Sequence, residues 1–201
     1  MSTLKVLRAS GYPRMPWKNG GGSTEEITRD AGLGLDGFGW RVSIADIAES
    51  GGFSSFAGYQ RVITVLQGDG MTLTIDGKQS RELLPLDALA FSGDARVDCD
   101  LLGGSIRDFN LIYSPQRYTA RLQWLDGIVP ATVFSSAPTL LIFSACDDLQ
   151  VRVAGYPAES LGIYDSLQID DQQGLLKLNL AGRCCLIELT PAWGAGTAVR
   201  G

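Results

Sequence analysis

Residues 68–91 read GDGMTLTIDGKQSRELLPLDALAF, and this stretch decides the fold class. Apolar and polar side chains alternate over Met71–Ile75 with the period of a half-buried β-strand. Asp76-Gly77 follows as a turn dipeptide, and a second apolar segment, Ala88–Phe91, ends the stretch. The pattern predicts a strand–turn–strand unit.

Similar short apolar segments, separated by turn signals, recur along the chain at roughly the 8–12 residue spacing of sandwiches and barrels. The chain has 25 glycines in 201 residues and no strong helical periodicity, so we predict an almost entirely β protein. The predicted strands are Trp40–Ile47, Arg61–Gln67, Met71–Ile75, Ala88–Phe91, Ser105–Tyr113, Tyr118–Trp124, Thr139–Ser144, Leu149–Val153, Leu175–Leu180 and Cys184–Leu189.

The chain also contains a weak internal repeat. At an offset of 78 residues, Met71–Gly77 (MTLTIDG) falls on Leu149–Gly155 (LQVRVAG), with apolar alternation and the turn glycine in one register. The repeat indicates two tandem copies of one β unit. Because the strand–turn–strand sequence resembles that of cupin barrels, we predict an all-β duplicated cupin (bicupin) of two small antiparallel barrels. We predict that residues 1–114 form the copy with the pocket and that residues 115–201 form a degenerate copy, packed closely against it or part of the same structural domain.

Charge balance and one missing residue type exclude several functions. Lys and Arg number 17 against 22 Asp and Glu, and an acidic chain without a basic block is a poor nucleic-acid binder. The chain has no histidine, which excludes His-based catalytic triads and His-ligated metal sites. No apolar run approaches the ~20 residues that span a bilayer. We therefore expect no nucleic-acid partner, no membrane partner, no metal and no cofactor.

The four cysteines are Cys99, Cys146, Cys184 and Cys185, and they include no C-x-x-C pair. Cys184 and Cys185 are adjacent and would point to opposite faces of a strand. We interpret all four as reduced, mostly buried thiols, which are typical of a cytosolic protein. The N-terminal residues lack the apolar region of a signal peptide, so we expect a cytoplasmic location.

Polar side chains interrupt three predicted strands, all in the first copy or just before it, and such interruptions are typical of functional sites. Arg41 and Ser43 share one face of Trp40–Ile47. Arg61 begins an otherwise apolar strand, and inside a barrel it would need an anionic partner. Either arginine could instead face solvent, but the apolar neighbours of Arg61 favour the interior.

Asp108 and Asn110 lie side by side on one face of Ser105–Tyr113, where a core would take aliphatic side chains. One interpretation is a structural salt bridge from Asp108 to Arg61 or Arg41, and the other is a ligand site.

The repeat allows a comparison within the chain. At the same offset, Arg61, Asp108 and Asn110 fall on Thr139, Leu186 and Glu188. Because the second copy lacks the Arg–Asp pair, we predict one functional cavity in the first copy and a structural second copy.

Residues 15–27 (MPWKNGGGSTEEI) contain three consecutive glycines but no G-K-[ST], so a phosphate-binding loop is weakly supported. We expect a loop over the barrel mouth, in which Trp17 forms a flat apolar wall and Lys18 and Asn19 supply donors. A flexible N-terminal loop is the alternative.

Together these segments resemble the HutD/Ves family, a bicupin family linked to bacterial histidine utilisation. The resemblance is carried by Trp17-Lys18-Asn19, Gly22, Thr24 and Glu26-Ile27, by Trp40-Arg41-x-Ser43-Ile44-Ala45-x-Ile47, by GGFSSFAGYQR ending in Arg61 with Leu66-x-Gly68, and by Asp108-Phe109-Asn110. It covers nearly the whole chain, with its motifs concentrated in residues 15–110.

The resemblance implies a non-catalytic regulator that limits expression of the histidine-utilisation pathway by binding a small carboxylate of the N-formylglutamate or urocanate class. Two arginines would each take an anionic group, and Asp108 would orient an arginine or accept an amide N–H. The predicted ligand-binding residues are Trp17, Lys18, Asn19, Glu26, Arg41, Ser43, Arg61, Asp108 and Asn110.

Two alternatives stay open. The first is a metal-independent isomerase or hydrolase acting on a small acid, with Glu26 and Asp108 as its acid/base candidates. The second is a protein-interaction module with a vestigial cavity. A homodimer is also considered, because tandem cupins commonly dimerise, although no sequence feature identifies its interface.

Overall fold

The computed structural model describes residues 2–18, 20–32 and 37–192. This part of the chain contains nineteen strands, one 3-10 turn over Ala9–Gly11 and no α-helix. No helix in it has the length and hydropathy needed to cross a bilayer. The strands are β1 (Thr3–Leu7), β2 (Arg14–Pro16), β3 (Gly22–Arg29), β4 (Trp40–Ile47), β5 (Gly51–Gly52), β6 (Gln60–Gln67), β7 (Met71–Ile75), β8 (Lys78–Gln79), β9 (Ala88–Ser92), β10 (Val97–Leu101), β11 (Ile106–Tyr113), β12 (Tyr118–Leu125), β13 (Ala131–Ser135), β14 (Thr139–Ser144), β15 (Leu149–Val153), β16 (Glu159–Leu161), β17 (Ser166–Asp170), β18 (Leu176–Ala181) and β19 (Cys184–Pro191).

The chain divides into two units, each with two antiparallel sheets. In the N-terminal unit, residues 12–117, the strand orders are β2-β3-β4-β11-β6-β9 and β5-β10-β7-β8. In the C-terminal unit the orders are β1-β17-β14-β19-β12 and β13-β18-β15-β16. Strands β4, β11, β6 and β9 thus correspond to β12, β19, β14 and β17, and the smaller sheets correspond strand by strand. The predicted duplication of an antiparallel β unit is confirmed.

The structure differs from the predicted boundary at the N-terminus, because the first eleven residues belong to the C-terminal unit. Strand β1 pairs with β17, with Leu4 opposite Ile169, and both Leu4 and Val6 pack against the apolar core there. Asp165 fixes the end of this segment by accepting hydrogen bonds from the Arg8 side chain and the backbone N–H of Ala9, at 2.6 and 2.8 Å. The pairing joins residues far apart in sequence, which an assignment by sequence order cannot detect.

Strand pairing also corrects the correspondence between the copies. Asn110 lies opposite Ile63 in the N-terminal unit, and its counterpart Glu188 lies opposite Leu140. Pro138, rather than the predicted Thr139, therefore occupies the place of Arg61. An ungapped comparison at one fixed offset cannot follow a difference in segment length between the two copies.

The two units differ in what their interiors contain. In the C-terminal unit Leu186, the counterpart of Asp108, belongs to a buried apolar cluster with Leu140 and Ile142. In the N-terminal unit the buried apolar clusters include one around Met71 and a smaller one formed by Phe38, Phe56 and Ile112. Five of the polar side chains singled out in the sequence are buried in this unit, namely Arg41, Ser43, Arg61, Asp108 and Asn110.

All four cysteines are free, and Cys99, Cys184 and Cys185 are buried. Burial raises the pKa of the Cys99 and Cys184 thiols to about 12, so both are protonated at neutral pH. The interpretation of reduced, mostly buried thiols agrees with this structure.

Residues 15–27 are a hairpin over much of their length, so their prediction as a loop is wrong. Strands β2 and β3 pair antiparallel, with Met15 opposite Thr24, and β3 continues the sheet along β4. The indole N–H of Trp17 donates a hydrogen bond to the Thr24 hydroxyl at 2.8 Å. The short connection between the strands is closed by the backbone N–H of Trp17 donating to the Gly22 carbonyl at 2.8 Å.

Four charged side chains bind this hairpin to the outer face of the sheet. Arg14 contacts Glu25 and Asp46 at 2.9 and 2.6 Å, and Arg107 contacts the same two carboxylates at 2.8 and 3.2 Å. An exposed ion pair alone contributes little, but this network joins four neighbouring strands, β2, β3, β4 and β11. It therefore fixes the position of the segment that carries Trp17.

We expect Gly22→Ala to destabilise the N-terminal unit. A Cβ at this position would overlap the Asp46 carbonyl oxygen and lie 3.1 Å from the Trp17 ring. Overpacking of this kind costs about 1–3 kcal/mol. Urea denaturation should show the loss, and the Trp17 indole N–H resonance should shift. Gly104→Ala is the control, since its Cβ meets nothing within 4 Å. Equal stability of the two variants would contradict the packing described here.

Candidate functional site

A cavity of about 520 Å³ lies within the N-terminal unit. Its wall is built by three adjacent strands, β4, β6 and β11, whose alternate residues point to the same face of the sheet. The strand residues that line it are Arg41, Ser43, Ala45, Ile47, Arg61, Ile63, Asp108, Asn110 and Ile112. The alternation seen in the sequence therefore brings the five predicted polar residues of these strands into one cavity.

The β2–β3 hairpin and the segment before β6 complete the lining. Trp17, held by its hydrogen bond to Thr24, is partly buried at the cavity, and the exposed Lys18 lines it beside Trp17. From the other segment, Phe53 and Phe56 add apolar surface. Asn19, the third residue predicted for the mouth, lies outside the described residues.

Arg61 is deeply buried, with only 7% of its surface exposed. One terminal nitrogen, Nη1, donates to the Ser54 carbonyl at 3.2 Å, and the other, Nη2, donates to Asn110 Oδ1 at 3.0 Å. Its Nε has no partner among the described residues. Burial lowers the pKa of Arg61 to about 10, so the guanidinium remains charged at neutral pH.

Arg41 is a second buried cation in the same cavity, with 5% of its surface exposed. Its Nε is also without a partner in the described part of the chain. Burial lowers the pKa of Arg41, and the charge of Glu26 opposes that effect. Across the described residues, no carboxylate lies within 4.0 Å of either guanidinium.

Aromatic rings surround both guanidinium groups. Arg61 lies over three rings at 5.0–5.4 Å and Arg41 over two at 5.2 and 5.4 Å, and Phe56 contacts both. Cation–π contacts of this kind stabilise a desolvated cation by roughly 2 kcal/mol but do not neutralise its charge. The cavity therefore keeps a net positive character within apolar walls.

Asp108 lies at the end of a hydrogen-bonded chain that starts at Arg61. Its Oδ1 accepts from Asn110 Nδ2 at 2.5 Å, while its Oδ2 is buried and has no partner in the described protein. The salt bridge considered from the sequence is not formed, because the Asn110 amide lies between the two charged groups. Burial raises the pKa of Asp108 to about 7, against the opposing charge of Arg61.

Glu26 is not among the residues that line the cavity in the described protein. Its carboxylate binds Arg29, through a hydrogen bond of 2.7 Å from Nε and an ion pair to Nη2. Strand β3 is bulged between Glu26 and Thr28, but Glu26 itself stays in register opposite Ser43, whose side chain lines the cavity. The charge of Glu26 also acts on Arg41, whose pKa it raises against the effect of burial.

Sequence reasoning missed the aromatic and backbone contributions of the segment before β6. Phe53, Ser54 and Phe56 all line the cavity, and all three contact Arg61. Two phenylalanines in a Gly- and Ser-rich segment outside any strand were the available signal, because irregular segments on a rigid scaffold often carry binding residues.

The donor set does not fit a metal ion. The described residues contain no group of three or more His, Cys, Asp or Glu side chains able to hold one. The cavity lining offers one carboxylate beside two guanidinium groups, which would repel a divalent cation. The arrangement is instead suited to an anion, held by charge-assisted hydrogen bonds from arginine.

Several known proteins are similar to this chain. It is 65% identical over 189 residues to an uncharacterised 21.2 kDa protein in the hutC 3′ region of Pseudomonas putida, with 94% of this chain and 98% of the other covered. A structure of HutD from Pseudomonas fluorescens SBW25, in a formate condition, is 65% identical with a TM-score of 0.85, covering 94% and 99%. A conserved protein of unknown function from Pseudomonas aeruginosa PAO1 is 53% identical with a TM-score of 0.90 and the same coverage.

More distant matches agree on the fold. E. coli YlbA and E. coli pirin YhhW, the latter in complex with nickel(II), have TM-scores of 0.66 and 0.64 at only 9% and 11% identity. They cover 92% and 94% of this chain, and 90% and 99% of their own, so the cupin prediction is confirmed for the whole fold. Protein Ves of Escherichia fergusonii is 40% identical over 117 residues, which is 55% of this chain and 58% of Ves. The HutD family model matches residues 9–187, and the chain belongs to this family, which is linked to histidine utilisation.

Proposed function

We propose that the cavity binds a small carboxylate metabolite of the N-formylglutamate or urocanate class. The protein acts as a non-catalytic regulator that limits expression of the histidine-utilisation pathway. The observation that carries the proposal is the pair of buried guanidinium groups, Arg41 and Arg61, each with an unpartnered Nε beside one cavity. The regulatory half rests on membership of the HutD family.

The energetics of buried charge support an anionic ligand. Removing an ion from water costs several kcal/mol, and the cost is offset only by a counter-charge in good geometry. The aromatic contacts to Arg41 and Arg61 supply part of this stabilisation but no counter-charge. A ligand carboxylate would supply it and would accept hydrogen bonds from the two free Nε donors.

The shape of the cavity is that of a small-molecule site. Its volume of about 520 Å³ falls within the usual range of ligand pockets, roughly 300–1,000 Å³. Phe53, Phe56 and Trp17 give flat apolar walls, which suit a short carbon skeleton or a planar conjugated acid. Two candidate acids match these walls: N-formylglutamate by its short chain and urocanate by its planar ring.

The charges around the cavity favour N-formylglutamate, which has two carboxylates, over urocanate, which has one. Arg41, Arg61 and Lys18 line it with positive charge, while Asp108 is its single carboxylate among the described residues. An ionised Asp108 and a dicarboxylate together would balance three cations. Each charge-assisted hydrogen bond contributes ~1.5–3 kcal/mol against association costs of ~4 kcal/mol or more, so the affinity is modest and suits a metabolite sensor.

The cavity composition favours binding over catalysis. Glu26, the second acid/base candidate, binds Arg29 and is not a lining residue, which leaves Asp108 as the one carboxylate of the lining in the described protein. The four free thiols support a reducing compartment, and we place this function in the cytoplasm.

We expect Arg61→Ala to weaken binding of N-formylglutamate by roughly 10- to 100-fold, the loss of one or two charge-assisted hydrogen bonds. Isothermal titration calorimetry measures it, with urocanate and formate as further probes. Formate is the smallest carboxylate and is named in the condition of the P. fluorescens HutD structure. The matched control is Arg96→Ala, which removes the same charge from an exposed site. Equal affinity in wild type and Arg61→Ala, with both folded by circular dichroism, would contradict the site.

Arg61→Ala should also raise expression of histidine-utilisation enzymes when it replaces the chromosomal copy, because an unliganded regulator cannot limit the pathway. Enzyme levels would be measured after induction by histidine, beside Arg96→Ala and a full deletion. Levels that match wild type in Arg61→Ala but rise in the deletion would separate regulation from the cavity.

Neither candidate ligand should be turned over. Proton NMR of N-formylglutamate incubated with the protein should show a constant formyl resonance and no growing formate signal, and the vinyl resonances of urocanate should persist. A formate signal that grows with wild type and stops with Asp108→Asn would establish hydrolysis and overturn the non-catalytic assignment.

A further inference from the structure

Asp108 Oδ2 is a buried acceptor at the cavity that the described protein leaves unused. The residue is 1% exposed, it lines the cavity, and Oδ2 has no hydrogen-bond partner in the described ranges. A buried polar atom without a partner costs roughly 1–3 kcal/mol, more when it is charged. A hydrogen-bond donor on a bound ligand would satisfy this oxygen and remove the cost.

The direction of every hydrogen bond around Asp108 is fixed. Arginine can only donate, so Asn110 Oδ1 must be the acceptor of Arg61 Nη2, and the Asn110 amide must then turn its Nδ2 towards Asp108. Asp108 Oδ1 is therefore an acceptor. Only Oδ2 is left to meet a ligand, and it accepts whenever the carboxyl group is ionised.

The charged and titratable groups around Asp108 come from several strands. Arg61 on β6 favours the ionised carboxylate, and Asp46 on β4 opposes it. Cys99 on β10 is a protonated thiol whose own pKa is raised by burial and by Asp108. Arg41 on β4 and Lys18 at the mouth line the same cavity as cations. This surrounding charge is net positive, which favours Asp108 as an acceptor.

We propose that Asp108 is a specificity-determining residue, which selects small carboxylates that also carry an N–H or O–H donor over those that lack one. The inference rests on the proposed function, since the arginines hold the carboxylate while Asp108 Oδ2 accepts the donor. The chemical class is an N-acylated amino acid or an acid with a ring N–H. N-formylglutamate supplies an amide N–H and urocanate an imidazole N–H.

The pH dependence of binding has a definite sign. Burial raises the pKa of Asp108 to about 7, and a ligand donor stabilises the ionised form. Affinity is therefore greatest above pH 7 and falls as the pH drops through this pKa, because a protonated Oδ2 cannot accept. With one proton linked to binding, the fall is at most roughly tenfold per pH unit. Tighter binding at pH 6 than at pH 8 would show that Asp108 donates instead, and would overturn the inference.

The direct test compares two acids that differ at one atom. N-formylglutamate has an amide N–H where its ester analogue, 2-formyloxyglutarate, has an oxygen that cannot donate. We expect the wild-type protein at pH 8 to bind the amide roughly 10- to 100-fold more tightly by calorimetry, because the ester also sets a lone pair against the carboxylate. In Asp108→Asn, whose Nδ2 replaces the Oδ2 acceptor with a donor, the preference should vanish or reverse.

The outcomes separate this inference from the proposed function. Equal binding of amide and ester by wild type, or an unchanged preference in Asp108→Asn, would overturn the role of Asp108 and leave the carboxylate site standing. Failure of wild type to bind either acid would overturn the proposed function and the inference with it. Asp98→Asn is the control, because it makes the same change at an exposed carboxylate outside the lining and should keep the preference for the amide.

Discussion

The constraint on which the N-terminal unit depends is the burial of a guanidinium between its strands. Arg61 donates from one nitrogen to the Ser54 carbonyl and from the other to the Asn110 amide, so it joins β6 to the preceding segment and to β11. Aliphatic side chains alone could surround this charge only at a large energetic cost, whereas Leu186, the counterpart of Asp108, packs in an apolar cluster of the other copy. Burial of the Arg61 charge therefore requires a cavity with polar side chains in its lining.

Strand β11 shows how one sequence serves both faces of the sheet. Arg107 points outward and binds Glu25 and Asp46, while the next residue, Asp108, points inward to the cavity. The outer ion pairs position the β2–β3 hairpin that brings Trp17 to the cavity. Stabilisation of the outer face and ligand recognition on the inner face thus follow from the same two-residue period.

The alternation of side chains along the strands made several site residues predictable, and physical reasons explain which features it could not predict. The period of two was enough to group Arg41 with Ser43 and Asp108 with Asn110 on shared strand faces, because a one-residue slip would reverse every side chain, but it left open whether the arginines face the interior. It could not reveal that an amide separates Arg61 from Asp108, since hydrogen-bond direction depends on three-dimensional placement. The run of glycines before Ser23 was interpreted as a loop, yet Gly22 begins a strand where a Cβ would meet the neighbouring backbone. The prediction of Glu26 as a ligand-binding residue rests on the resemblance to the family, and in the described protein Glu26 binds Arg29 and is not part of the lining.

The absence of histidine now has a mechanistic meaning. A barrel interior lined with imidazole and carboxylate ligands attracts cations, and this one is lined instead with two guanidinium groups and one carboxylate. The sign of the interior is therefore inverted while the fold is retained, as expected where function lies in the site rather than the scaffold. Asp108 is the one negative charge of the lining in the described protein, and burial beside Arg61 holds it near the midpoint of its titration at neutral pH. The ionisation of Asp108 therefore depends on whether a bound ligand brings a hydrogen-bond donor. The two arginines bind the carboxylate of any such ligand, so Asp108 is the residue that distinguishes one carboxylate from another.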